Sequence, residues 1–143
     1  MKIVELHTLT DRQIEDILTL MQELTSSITV TAEMLQIAVS SDNTHFFAMV
    51  EDDGRIVGCA SLCVFNSPTG RKASVEDVVV LSSCRGLGYG RKLMEYVIDY
   101  AKNELAPIEL HLTSNPKRVS ANALYKAVGF EQRETNVYEM SIE

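Results

Sequence analysis

The sequence predicts an α+β fold built on a mixed sheet, and two observations carry that prediction. The first half reads as strands joined by tight turns, which gives antiparallel hairpins. The middle reads as strand, glycine-rich turn, helix and strand. It runs from Val78-Val79-Val80-Leu81 through Arg85-Gly86-Leu87-Gly88-Tyr89-Gly90 to residues 108–113. That order is a β-α-β unit, hence a parallel pair. The chain has 143 residues, enough for one core and too few for two ordinary domains, so a single domain over residues 1–143 is expected.

Each element has its own signal. Residues 2–8 alternate enough to form a first strand. Thr10 is placed to cap the helix that follows, with Gln13 as its capping-box partner. Ile14, Ile17, Leu18, Met21 and Leu24 then fall on one helical face. After a loop over residues 25–30, a short helix begins near Thr31 and carries Met34, Leu35 and Ala38. Residues 45–51 read as a strand, Asp52-Asp53-Gly54-Arg55 as a hairpin turn, and residues 56–65 as the returning strand. The Asn66-Ser67-Pro68-Thr69-Gly70 turn leads to a third strand over residues 73–81. Beyond the glycine turn, residues 91–101 form an amphipathic helix, and Asn115-Pro116 ends the strand over 108–113. A last helix over 119–128 stops at Gly129. Residues 130–131 and 136–142 are expected to close the chain as a hairpin. Its apolar last strand, with Val137, Tyr138, Met140 and Ile142, either pairs across a homodimer or completes its own sheet.

Composition excludes several classes. Apolar residues are 45%, too many for a disordered chain. No apolar run reaches the ~20 residues that span a bilayer, and the N-terminus lacks a signal-peptide core, so no membrane partner is expected. A formal net charge of −7 argues against nucleic-acid binding, which needs a basic face. It is compatible with a cationic amine partner, although surplus carboxylates also serve solubility. Three cysteines give no paired framework, and a reducing cytoplasm is the simplest compartment. Cys59 and Cys63 read as core thiols and Cys84 as incidental. His7, His45 and His111 lie in different strands, at a spacing that supports neither a metal site nor a nucleophilic triad, so no metal is expected.

The glycine turn is the feature with chemistry in it. The first amides of a helix have no partner inside it, and the helix dipole adds positive charge at that end. Glycines let a backbone approach an anion, and Arg85 and Arg91 add full charges. The phosphate-loop pattern of P-loop nucleotidases is absent, and the dinucleotide G-x-G-x-x-G fails where its third glycine would fall on Arg91. What remains is Arg-x-x-Gly-x-Gly. This resembles the acyl-CoA pyrophosphate loop of the GNAT superfamily of N-acetyltransferases. Downstream, Asn122-Ala123-Leu124-Tyr125 followed by Gly129-Phe130 resembles that family's second motif, in its order and spacing. The upstream strand Glu76-Asp77-Val78-Val79-Val80 is particularly similar to that of glucosamine-phosphate N-acetyltransferases. The resemblance covers about half the chain.

The resemblance implies a twisted, mostly antiparallel sheet with one splayed parallel pair and about four helices. The pantetheine arm of acetyl-CoA would enter that splay. It implies backbone amides of Gly86, Leu87, Gly88, Tyr89, Gly90 and Arg91 around the pyrophosphate, with Arg85 beside them. It implies pantetheine along Val78, Val79 and Val80, with an amide there polarising the thioester carbonyl. Tyr125 would be the acid that protonates the leaving thiolate; the alternative is a core aromatic with its hydroxyl at the rim. Glu76 is the candidate base, since a carboxylate just before three valines is expected to be partly buried and so raised in pKa. Bonding to neighbouring backbone is its alternative. Asp77 points to the other face unless a β-bulge intervenes. Asn115 and Asn122 stand near the expected cofactor mouth and either contact the cofactor or bridge local backbone. Lys117 and Arg118 either reach phosphate or stay solvated.

The activity implied is acetyl transfer from acetyl-CoA to a primary amine of a small molecule: an amino sugar, an aminoglycoside-like compound, a polyamine or an amino acid. A protein N-terminus or lysine is the enzymatic alternative. A non-catalytic acyl-CoA sensor is the alternative from another class, and binding of another nucleotide is a third.

Overall fold

The structure, a computed structural model, describes residues 1–143. It contains β1 (Lys2–Leu6), α1 (Asp11–Leu24), α2 (Ala32–Ser40), β2 (Thr44–Val50), β3 (Ile56–Ser67), β4 (Gly70–Val80), α3 (Tyr89–Tyr100), β5 (Glu109–His111) and α4 (Val119–Ala127). The chain divides into two compact units, Met1–Thr113 and Ser114–Glu143.

The first unit is a five-stranded sheet in the order β1-β2-β3-β4-β5. The three pairings from β1 to β4 are antiparallel, and β4 pairs β5 in parallel. Local signals start its helices as expected. Thr10 and Gln13 form the capping box of α1, and the Thr31 side chain accepts from the Met34 amide to start α2. Strand alternation sends His45 and Phe47 to the face covered by α3. There Phe47 meets the rings of Tyr96 and Tyr100 edge-on at 5.4 and 5.0 Å. Leu93, Met94 and Val97 of α3 are fully buried. Each such side chain contributes roughly 1.5–3 kcal/mol, so the helix behind the glycine turn is firmly seated. A π-helical turn, Ala101–Leu105, follows it.

Two features of β4 position the site. A β-bulge opposes Asp77 and Val78 to the single residue Ala60, since Cys59 pairs Val79 and Ser61 pairs Glu76. At the bulge Asp77 has φ +52°, the left-handed region. Then β5 pairs β4 only over Lys72–Ser74. No strand of the sheet pairs the β5-side edge of β4 from Val75 to Val80, so its peptide groups there are free to take a ligand as an added strand. This is the splay that the resemblance implies. The strand predicted over residues 108–113 is shorter than expected, and the splay is the reason: a strand ends where its ladder ends.

The second unit contains α4 and the segment after it. The Gly129 amide bonds the Lys126 carbonyl at 3.1 Å and the Phe130 amide bonds the Tyr125 carbonyl at 2.9 Å. With Gly129 at φ +113°, this is a Schellman end, and the Phe130 ring packs on Tyr125 at 6.3 Å. The expected hairpin over 130–131 and 136–142 does not form. Its alternating apolar pattern is present, but a strand needs a ladder partner and this backbone finds none; Val137, Tyr138, Met140 and Ile142 are exposed. No helix is long and apolar enough to cross a membrane.

Candidate active site

The site begins where β4 ends. Leu81 is buried and its amide bonds the Val57 carbonyl at 2.9 Å, which fixes the exit from the sheet. A single 3-10 turn, Ser82–Cys84, follows. Glu23 of α1 holds that turn, accepting from the Ser82 hydroxyl at 2.6 Å and the Ser82 amide at 3.1 Å. Those two bonds, with the charge of Arg85, keep the Glu23 carboxyl below the usual carboxylate range.

Gly86 and Gly88 then adopt φ +82° and +77°. A Cβ added at either would meet nothing within 4 Å. These glycines are therefore required by backbone conformation, and the space above them is open. Gly88 caps α3 and offers no side chain to its amides. The Lys92 amide bonds the Gly88 carbonyl at 3.1 Å. The amides of Tyr89, Gly90 and Arg91 precede that bond and have no partner within the helix. No acidic residue stands in this first turn. Donors, dipole and open approach together fit a pyrophosphate. Leu87 lies exposed at the tip of the turn. Arg85 is exposed and forms no ion pair, whereas Arg91 pairs with Glu95 at 2.8 Å along the helix. The Tyr89 hydroxyl donates to Glu51 at 3.2 Å. Shielding, then that carboxylate, raises its pKa, so Tyr89 serves to anchor the start of α3.

Val78, Val79 and Val80 form the open edge that leads into this turn. Val79 is buried and its neighbours half-buried, so their side chains fill the core while their peptide groups line the edge. Immediately before them stand the two carboxylates. Glu76 is exposed, contrary to the expected partial burial. Asp77, at the bulge, is exposed as well. Partial desolvation, then the charge of Glu76, raises the pKa of Asp77. Glu76 accepts from the Ser74 hydroxyl at 2.6 Å. Both charges also reach Cys63, whose thiol is pushed up first by burial and then by the two carboxylates.

The second unit holds the other candidates. Tyr125 is buried, with its ring against Phe130. The Asn115 side chain accepts from the Lys117 amide at 2.9 Å, and the Asn122 side chain donates to the Asn115 carbonyl at 3.0 Å. Both amides therefore bridge local backbone. Sequence reasoning passed over Ser114 beside them, whose hydroxyl is buried without a partner. In the first unit, His111, to which the sequence gave no role, bonds Glu109 at 2.7 Å. The i, i+2 spacing of Glu109 and His111 on one strand face was the available signal. Among the side chains, no group of three or more His, Cys, Asp or Glu is arranged to hold a metal ion. A cavity of about 350 Å³ is lined by Met1, Lys2, Val50, Glu51, Asp52 and Gly54 and includes no residue of the glycine turn.

Comparison with known proteins agrees with this geometry. The acetyltransferase (GNAT) family model matches residues 12–130. The uncharacterised N-acetyltransferase YhdJ of Bacillus subtilis is 25% identical over 108 residues, covering 74% of this chain and 75% of that protein. A solved protein of Agrobacterium tumefaciens assigned to the acetyltransferases superposes with a TM-score of 0.84 at 22% identity, over 99% of this chain and 100% of that one. Glucosamine-6-phosphate N-acetyltransferase of Arabidopsis thaliana superposes with a TM-score of 0.74 at 22% identity, over 97% of each chain. The match spans most of the chain and contains the glycine turn, the splayed strands and α4, so the chain belongs to the acetyltransferase (GNAT) family and is an N-acetyltransferase.

Proposed function

We propose that this protein transfers the acetyl group of acetyl-CoA to the primary amine of a small molecule in a ternary complex, with an amino sugar as the first acceptor to test. One observation carries the reading: the unpaired edge of Val78–Val80 runs directly into two left-handed glycines and the free amides at the start of α3. An extended arm ending in a pyrophosphate matches that layout in shape and charge. Acetyl-CoA, when bound, supplies the thioester whose carbonyl carbon the amine attacks.

The residues then have separable tasks. The amides from Gly86 to Arg91 hold the pyrophosphate and Arg85 adds its charge. The peptide groups of Val78, Val79 and Val80 align the arm, and one of their amides polarises the carbonyl. Glu76 and Asp77 draw a cationic amine to the edge. Tyr125, by its match to the family's second motif, is the candidate to protonate the departing thiolate. The amino-sugar acceptor is supported by the likeness of the Glu76-Asp77-Val78 strand and by the superposition on glucosamine-6-phosphate N-acetyltransferase.

Calorimetric titration with acetyl-CoA tests the first half of the reading. Micromolar binding is expected, lost in a folded Gly88→Glu variant and much weaker for ATP and NAD. Tyr125→Phe tests the second half. It should bind acetyl-CoA as the wild type does and lose about 100-fold or more in kcat on an amine panel led by glucosamine and its phosphate. Binding without turnover on any amine would favour an acyl-CoA sensor instead.

A further inference from the structure

We propose that the hydroxyls of Tyr89 and Tyr100 hold α3 at one position along β2, and that Glu51, His45 and Glu5 are positioning residues that set, through them, where the pyrophosphate amides stand. The inference rests on the acetyltransferase reading above and names what preorganises its cofactor cradle.

Helical spacing puts the parts in line. Tyr89, Tyr96 and Tyr100 are seven and four residues apart. At 3.6 residues per turn all three fall within about 20° of one line along α3. That stripe faces β2 and runs against it. Tyr89 meets Glu51 just past the strand, Tyr96 meets Phe47, and Tyr100 meets His45 near the strand's start. The buried Leu93, Met94 and Val97 press the helix onto the sheet, but apolar contact is non-directional. Hydrogen bonds are directional, so the two hydroxyls decide the axial position.

Both ends are built as fixed points. At the cradle end the Tyr89 hydroxyl donates to Glu51 at 3.2 Å. The backbone of Glu51 is held in turn: its amide bonds the Arg55 carbonyl at 2.9 Å, and its carbonyl accepts from the Gly54 amide at 2.9 Å. At the far end the Tyr100 hydroxyl lies 3.2 Å from His45 Nδ1, with the two rings 5.0 Å apart. Glu5 of β1 lies 2.8 Å from the same Nδ1. A carboxylate only accepts, so Nδ1 carries the hydrogen and the imidazole is oriented by Glu5. Shielding, then the charge of Glu5 and its hydrogen bond with the hydroxyl, raises the pKa of Tyr100, which keeps that donor protonated. The side chains of His45 and Glu5 are only 19% and 18% exposed, so water does not readily replace a lost partner.

Tyr89 joins this clamp to the cofactor site within one residue. Its hydroxyl is held by Glu51, and its amide is one of the free donors at the start of α3. A helix moves as a rod, so an axial slip carries the amides of Tyr89, Gly90 and Arg91 together. Donors serve an anion at about 2.7–3.1 Å, and a slip of about 1 Å spoils them. The edge that takes the arm belongs to the same sheet, through β3. Setting α3 against β2 therefore sets the pyrophosphate cradle against the pantetheine edge.

The test uses the full-length protein with CoA as the probe, by calorimetry well below the melting temperature. Tyr89→Phe and Tyr100→Phe keep the rings and every backbone amide. Each should bind CoA about 3-fold more weakly, and the double variant more than about 10-fold, because either hydroxyl alone still holds one end. Glu51→Gln keeps an acceptor and should keep CoA affinity. Glu51→Ala should match Tyr89→Phe and add nothing when combined with it. A lower melting temperature with CoA affinity unchanged in the double variant would overturn the proposal and leave the acetyltransferase reading intact. Wild-type protein that fails to bind CoA would overturn that reading, and the clamp is then judged on the free protein. Amide exchange from Lys92 to Met94, the first bonded turn of α3, should be faster in the double variant, and exchange equal to the wild type refutes the clamp.

Discussion

Asp77 is the residue whose physics is least like its surroundings. It is an exposed non-glycine at φ +52°, and partial desolvation, then the charge of Glu76, raises the pKa of its carboxyl. A folded-state pKa above the ordinary aspartate value means the native state binds the proton more tightly than the unfolded chain. Stability is therefore lost as pH rises from the ordinary aspartate value through the folded one, and the loss persists above it. Asn tolerates left-handed backbone and carries no charge. Asp77→Asn should resist urea better than the wild type at pH 7, with the gap closing once the pH falls below the ordinary aspartate range. Equal midpoints at pH 7 would mean the desolvation is ineffective. Asp77→Val, β-branched at a positive φ, should lose stability at every pH. The pair Glu76-Asp77 was legible as chemistry because acids are disfavoured in strands. The left-handed backbone of Asp77 was not, because a bulge is a property of two strands together and no local residue pattern announces it here.

At the scale of elements, the site depends on the end of β4 staying in register with β3 and unpaired on its other side. Gly58 of β3 guards that geometry. A Cβ there would lie 3.1 Å from Met49 Sδ, 3.2 Å from the Val79 carbonyl oxygen and 3.3 Å from Val80 Cγ2. The methionine sulfur can move, but the carbonyl moves only if the strand does. Overpacking of this kind costs about 1–3 kcal/mol. Gly58→Ala should accordingly lower the unfolding midpoint and weaken acetyl-CoA binding together, as thermal melts and calorimetry would report. Destabilisation with affinity unchanged would show that the Val79–Val80 edge is not what binds. The elements most legible in the sequence were those with local rules: the Thr10 capping box, the left-handed Gly86 and Gly88, and the Gly129 helix end. The segment with Val137, Tyr138, Met140 and Ile142 was misread as a strand because alternation specifies a face and not a partner.

At the scale of the molecule, the glycine turn must be held against the sheet while remaining open to solvent, and Glu23 supplies that hold from a distant helix. Its carboxylate takes both the amide and the hydroxyl of Ser82, 59 residues away in sequence. The folded-state pKa is depressed, so the contribution is complete above the ordinary glutamate value and is lost as pH falls through the folded one. Both partners are exposed, so salt and solvent limit the effect on global stability. The larger consequence is for the loop, since its first turn loses its tether to α1 when Glu23 is protonated or replaced. Glu23→Gln should therefore lower the unfolding midpoint modestly at pH 7 and converge with the wild type in acid. It should also weaken acetyl-CoA binding at pH 7 and speed amide exchange from Ser82 to Gly88, because the anion cradle is then less preorganised. Exchange at those amides matching the wild type at pH 7 would mean that β4 and α3 hold the turn unaided, and that the long-range tie from α1 is incidental.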